Sequence, residues 1–126
     1  MSLPNTETLL LEQVEGVLYV TLNRPDSRNA MSLAMVEELR AVLRAVRGDQ
    51  AVRALVLRGA DGHFCAGGDI KDMAGARAKG GDAYRELNRA FGSLLEEAQA
   101  APQVLVAVLE GAVLRGGFGL ACVARF

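Results

Sequence analysis

Tryptophan is missing from this chain of 126 residues, histidine occurs once and cysteine only twice. Cys65 and Cys122 are too few for a disulfide framework. Both sit among small apolar residues and read as reduced core positions. A catalytic thiol is the weaker reading, because no histidine is placed to activate either. His63 alone cannot form a histidine metal cluster, and no Cys/His spacing helps it, so no metal is expected. An excess of one charge is also missing. The 14 Lys and Arg nearly balance 15 Asp and Glu, for a net charge of -1. Without a basic field, nucleic acid is not an expected partner. Arg40, Arg44 and Arg47 are interleaved with Glu37, Glu38 and Asp49, which reads as a solvated helix surface. Long apolar runs are absent too. The longest strand-like one, 104–109, is far too short to span a bilayer. The first five residues lack the basic-then-apolar pattern of a secretion signal. The expectation is a soluble, cytoplasmic protein with no membrane partner.

What is present is a core. Hydrophobic residues make up 51% of the chain, enough for one packed domain. Leu9-Leu10-Leu11 and Val17-Leu18-Tyr19-Val20-Thr21-Leu22 flank Glu15-Gly16, an antiparallel hairpin signal. Asn23-Arg24-Pro25-Asp26-Ser27 is turn chemistry, with Pro25 keeping Arg24 out of the helical region. Ser32 caps a helix whose apolar face is Met35, Val36, Leu39, Val42, Leu43 and Val46, and Gly48-Asp49 stops it. Ala54-Leu55-Val56-Leu57 reads as a buried strand, Gly59-Ala60-Asp61-Gly62 as a turn, and Phe64-Cys65-Ala66 as a short extended piece. A short helix runs from Asp69 to about Met73. The stretch 74–81 reads as a mobile loop. Tyr84, Leu87, Phe91, Leu94, Leu95 and Ala98 line the next helix, which Pro102 ends. The run 104–109 is a further buried strand, and 117–123 looks helical. Strands alternating with helices imply a layered α/β fold in which a strand-strand-helix unit recurs.

Two glycine clusters carry the chemistry: Phe64-Cys65-Ala66-Gly67-Gly68-Asp69-Ile70 and Gly116-Gly117-Phe118-Gly119. Each follows an apolar strand-like run and opens a helix. N–H groups at a helix start are unpaired within the helix and carry the positive end of its dipole. Two of them aimed at one point hold a carbonyl oxygen as it gains negative charge. On the residues alone, turn and helix-packing roles explain the same glycines. They do not follow the Gly-x-Gly-x-x-Gly pattern after a first strand, so a dinucleotide-binding module is discounted.

Taken together, the motifs resemble those of the crotonase (enoyl-CoA hydratase/isomerase) superfamily. Leu22-Asn23-Arg24-Pro25 with Arg28-Asn29-Ala30-Met31 is similar to its first signature. Ala54-Leu55-Val56-Leu57-Arg58-Gly59 with Phe64-Cys65-Ala66-Gly67-Gly68-Asp69-Ile70 is similar to its second. The run 104–111 with Gly116-Gly117-Phe118-Gly119-Leu120-Ala121 is similar to its third. The resemblance implies a crotonase-like spiral of strand-strand-helix units and an acyl-CoA thioester substrate. Coenzyme A is then part of the substrate, and no separate cofactor is implied. By position, Gly68 and Gly116 match the two donors of the oxyanion hole. Ala66, Gly68, Asp69, Ile70 and Lys71 match the stretch lining the CoA site. Arg24 and Arg28 are candidates for the CoA phosphates, and Met73 for the acyl chain. For both arginines a plain surface role is also open, as is a core role for Met73. Asp69 also suits a helix N-cap.

The chain departs from the family pattern in three places. Hydratases of the family use two glutamates. Gly119 stands at the position of the first and cannot act as acid or base, and the second belongs to a segment beyond Phe126. Arg115 replaces the first glycine of a Gly-Gly-Gly run, where it offers a cation or is a surface variant. The family domain is also markedly longer. The resemblance therefore implies that residues 1–126 are the N-terminal portion of a single, truncated crotonase-like domain. It implies a homo-oligomer, a trimer or dimer of trimers, for the complete protein, with a second chain as a possible source of the remainder. The leading expectation is a hydratase, with branched glutaconyl-CoA hydratases showing a similar Gly-Gly-x-Gly-Leu pattern. Isomerisation and other CoA chemistry stay open. The alternative is a non-catalytic acyl-CoA-binding homologue or assembly subunit.

Overall fold

The computed structural model describes residues 3–65, 67, 69, 74, 75 and 78–111. The first hairpin forms as its pattern predicts. Strands β1 (Leu9–Val14) and β2 (Val17–Leu22) pair antiparallel. Glu15 takes a positive φ of 55° in the two-residue turn between them. After a 3-10 turn at Pro25–Ser27 comes helix α1 (Leu33–Val46), whose first turn is capped by Ser32 Oγ accepting from the Met35 N–H at 3.1 Å. Strand β3 (Ala54–Gly59), helix α2 (Gly81–Ala100) and strand β4 (Val104–Ala107) follow. Ala101, held extended by the following Pro102, ends α2.

The sheet order is β1-β2-β3-β4, with β2, β3 and β4 parallel. Register decides which side chains meet. Leu18, Leu55 and Leu105 form one cross-strand row, and Val20, Leu57 and Ala107 the next. All six are buried on the helix side, against Met35, Val36, Leu39, Val42 and Val46 of α1 and Ala90, Leu94 and Ala98 of α2. Apolar burial of this kind is the main stabilising term in the fold. The α1 face is the expected one; on α2, Leu94 and Ala98 are buried as expected, Phe91 and Leu95 are partly buried, and Ala90 joins the core in addition. Leu43 is only partly buried at the edge of the core.

The opposite face of the sheet is less covered. Leu10 and Val104 are about half exposed, at 56% and 50%. Arg58 lies 4.7 Å from the centre of the Tyr19 ring and donates to Thr21 Oγ1 on the same face. The strand expected at 104–109 ends at Ala107, and among the described residues its cover is on one face only.

Two expectations need correction. The stretch 74–81 was expected to be a loop, yet Ala74, Gly75 and Ala78 are helical, and the Lys79 N–H donates to the Gly75 carbonyl at 3.2 Å. Alanines at 74 and 78 are strong helix formers, and their propensity outweighs the intervening glycine. The arginines of α1 are also more than solvated surface. Arg40 Nε donates to Glu97 Oε1 of α2 at 2.9 Å, with Arg44 on the same oxygen at 3.3 Å. Glu38 accepts from the N–H groups of Glu7 and Thr8 and from the Thr8 hydroxyl, pinning the chain ahead of β1. No helix among the described residues is long and apolar enough to cross a membrane.

Candidate functional site

Parallel strands deliver their following loops to one edge of a sheet, which is where α/β proteins place ligands. Here the turns after β2, β3 and β4 gather at that edge. Asn29 ties the first two together. It is fully buried at a left-handed φ of 59°. Its Oδ1 accepts from the Arg24 N–H at 2.7 Å, and its Nδ2 donates to the carbonyls of Ala60 at 3.0 Å and His63 at 2.7 Å. Asparagine tolerates this backbone region better than most residues and offers an acceptor and donors together. Gly59 makes room for the junction, because a Cβ there would meet the His63 carbonyl and the Asn29 amide.

The chain then passes through the first glycine cluster, which is held on both sides. The Phe64 N–H donates to the Glu110 carbonyl at 2.9 Å, joining it to the segment after β4. The Met31 N–H donates to the Gly67 carbonyl at 2.6 Å, and the Asp69 N–H returns a bond to the Met31 carbonyl at 3.0 Å. Gly67 has a φ of 98°, a conformation that glycine adopts without penalty. Gly111, at φ 56°, packs so closely on Gly62 and His63 that a side chain there would collide with both. Phe64 and Cys65 are fully buried. Burial pushes the Cys65 thiol above its ordinary pKa. The thiol is therefore protonated and inert, as its surroundings in sequence imply.

Asp69 is buried, and its Oδ2 accepts from Arg24 Nη2 at 2.7 Å. Arg24 Nη1 donates to the Ala30 carbonyl at 2.6 Å. Arg24, a candidate for the CoA phosphates, thus has its guanidinium on a carboxylate and a carbonyl. The two partners are 45 residues apart in sequence, and no spacing rule connects them. Arg28 is exposed, in a left-handed conformation at φ 51° that closes the 3-10 turn onto Pro25. Of the expected site residues, Arg28 and Asp69 are thus placed at this edge. Ala66, Gly68, Ile70, Lys71, Met73 and Gly116 lie outside the described residues, as do Arg115, Gly119 and Cys122. Among the described residues no cluster of His, Cys, Asp and Glu is arranged to hold a metal ion. Asn29 and the Arg24–Asp69 pair are what reading by motif missed as working parts. Their one sequence signal is an Asn following Pro25 by four positions, in a segment with turn chemistry on both sides.

Comparison with known proteins agrees with this architecture. The sequence matches the family model for enoyl-CoA hydratase/isomerase over residues 12–126. A probable enoyl-CoA hydratase of Rhizobium meliloti (strain 1021) is 38% identical over 120 residues, which are 95% of this chain and 45% of that protein. The mitochondrial 3-hydroxyisobutyryl-CoA hydrolase of Rattus norvegicus is 34% identical, over 97% of this chain and 32% of its own length. Among solved structures, Pseudomonas aeruginosa AtuE superposes with a TM-score of 0.92 at 84% identity, covering 94% of this chain and 46% of that one. An enoyl-CoA hydratase/isomerase from Marinobacter aquaeolei superposes at 0.89 with 53% identity, covering 93% and 46%. The chain belongs to the enoyl-CoA hydratase/isomerase family, the crotonase superfamily, and has its mixed α/β fold. It spans less than half the length of these relatives.

Proposed function

We propose that the protein of which this chain forms the whole or a part acts on an acyl-CoA thioester, and that the N–H groups of Gly68 and Gly116 form its oxyanion hole. The observation that carries this reading is the bond from the Phe64 N–H to the Glu110 carbonyl. It joins Phe64, four residues before Gly68, to Glu110, six residues before Gly116, which supports a reading in which both glycines serve one site. An enolate or tetrahedral oxyanion needs two donors about 3 Å from the developing oxygen. Ala66, Asp69, Ile70, Lys71, Met73 and Arg28 are the further candidates for contact with the substrate.

The reaction proposed first is hydration of an enoyl-CoA. With glycine at position 119, the acid/base work falls to a carboxylate supplied from outside these 126 residues. The Gly-Gly-x-Gly-Leu pattern favours a branched glutaconyl-CoA as substrate. The bare position at 119 equally suits a homologue that binds acyl-CoA without turning it over, and the two are separated by turnover. Isothermal calorimetry with crotonyl-CoA, followed by a hydration assay on the protein and on Gly116→Pro, tests the reading. Proline removes the N–H, and loss of one such donor costs roughly a hundredfold or more in rate. Binding with no turnover would select the non-catalytic homologue. No binding at millimolar ligand, or unchanged turnover in a folded Gly116→Pro protein, would overturn the oxyanion assignment.

A further inference from the structure

A Gly-Gly pair is the most flexible dipeptide a chain can contain, and Gly67-Gly68 occupies the place where a fixed geometry is needed. Oxyanion stabilisation depends on donors that do not reorganise during the reaction. The fold answers this with a seam between two segments. Met31 donates to the Gly67 carbonyl and accepts from the Asp69 N–H, so the backbone is held on both sides of residue 68. The Gly67 carbonyl and the Asp69 N–H are thus both fixed on Met31.

Arg24 spans that same seam with its side chain. One arm of the guanidinium holds the carbonyl of Ala30, the residue before Met31. The other holds the carboxylate of Asp69, on the opposite segment. The backbone of Arg24 is itself fixed, since its N–H donates to Asn29 Oδ1 and its carbonyl accepts from the Asn29 N–H at 2.8 Å. The Asp69 carboxylate side chain is only 8% exposed, so its 2.7 Å ion pair with Arg24 is a buried one that is costly to break. A planar fork is required to reach two acceptors at once, which a lysine ammonium on its flexible stem does poorly.

We propose that Arg24 is a positioning residue: through its simultaneous grip on Asp69 and Ala30 it fixes the seam that Met31 forms with Gly67 and Asp69, and with it the backbone that receives the acyl-CoA thioester. The effect on substrate rests on the functional reading above; the clamp itself does not.

Amide hydrogen exchange on the full protein, compared between the unaltered chain, Arg24→Met and the milder Arg24→Lys, tests it. Met31 and Asp69 amides are expected to exchange about tenfold faster or more in Arg24→Met, while Val20 in the sheet is unchanged, the signature of a local opening. Arg24→Lys is expected to fall between. Where hydration is measurable, kcat is expected to fall more than KM rises, with partial rescue in Arg24→Lys. Unaltered exchange at Met31 and Asp69, or equal acceleration at Val20, would overturn the clamp. Should Arg24→Met fail to fold, the lysine variant decides by the same three amides. Absence of crotonyl-CoA binding by the unaltered protein would defeat the functional reading and leave the exchange result to judge the clamp.

Discussion

Asn29→Ala is the sharpest test of how the turns are joined. The side chain is fully buried and makes three hydrogen bonds, all at or below 3.0 Å. Truncation removes a partner from one backbone N–H and from each of two carbonyls in a buried place. An orphaned buried donor costs about 1–3 kcal/mol, and each carbonyl roughly 1 kcal/mol, since carbonyls tolerate the loss of one partner better. The left-handed backbone, at φ 59°, adds about 1 kcal/mol when alanine must adopt it. The expected loss is about 4–6 kcal/mol. Asn29→Gly loses the same bonds without the backbone strain, so it should be about 1 kcal/mol less damaging than alanine. Urea unfolding followed by far-ultraviolet circular dichroism measures both. A loss below about 1 kcal/mol in Asn29→Ala would refute the reasoning, because it would mean that the three bonds are replaced at almost no cost. Reversal of the alanine and glycine order would refute the backbone part alone.

Gly59→Ala should cost about 2–3 kcal/mol, since its Cβ has no room against the His63 carbonyl and the Asn29 amide. Gly48→Ala, in open space, is the matched control and should leave the unfolding midpoint nearly unchanged. Glu38→Gln should flatten the acid limb of stability. Burial raises the Glu38 pKa, but bonds from the Thr8 and Glu7 N–H groups and the Thr8 hydroxyl outweigh it, leaving the carboxyl below its ordinary 4.5. A depressed folded pKa stabilises the native state above the unfolded value and loses that contribution as pH falls through the folded one. The variant should therefore be modestly less stable at neutral pH, the effect being damped by solvent screening at this partly exposed group, and lose less on acidification. An acid limb identical to that of the unaltered chain would contradict this.

Periodicity was enough to place the strands and helices of the core. The 3.6-residue spacing of Met35, Val36, Leu39, Val42 and Val46, the Ser32 cap and the Pro102 stop are local signals, and local physics decided them. Within 74–81, Ala74, Gly75 and Ala78 are helical where small residues suggest a loop, because alanine is the best helix former of all. The site was legible as a set of backbone positions and illegible as a set of contacts. Arg24 carries every mark of a surface arginine: a turn, a neighbouring proline and flanking polar residues. Its inward direction is fixed by Asp69, which arrives through β3 and the turn after it. Asn29 likewise has a turn residue's composition, and its partners at Ala60 and His63 come from the far side of a helix and a strand.

The lacing of the 64–69 segment between Met31 on one side and Glu110 on the other has a kinetic consequence. Each bond in that cluster closes a long loop of chain, and loop-closure entropy must be met before such contacts repay it. During synthesis the hairpin and α1 form from neighbours already available, whereas the edge of the sheet waits for residue 110 to emerge. The Phe64–Glu110 bond is thus the part of this cluster that needs the chain to extend past the fourth strand. A chain halted before its fourth strand would hold the Met31 side of this lacing and lack the Glu110 side.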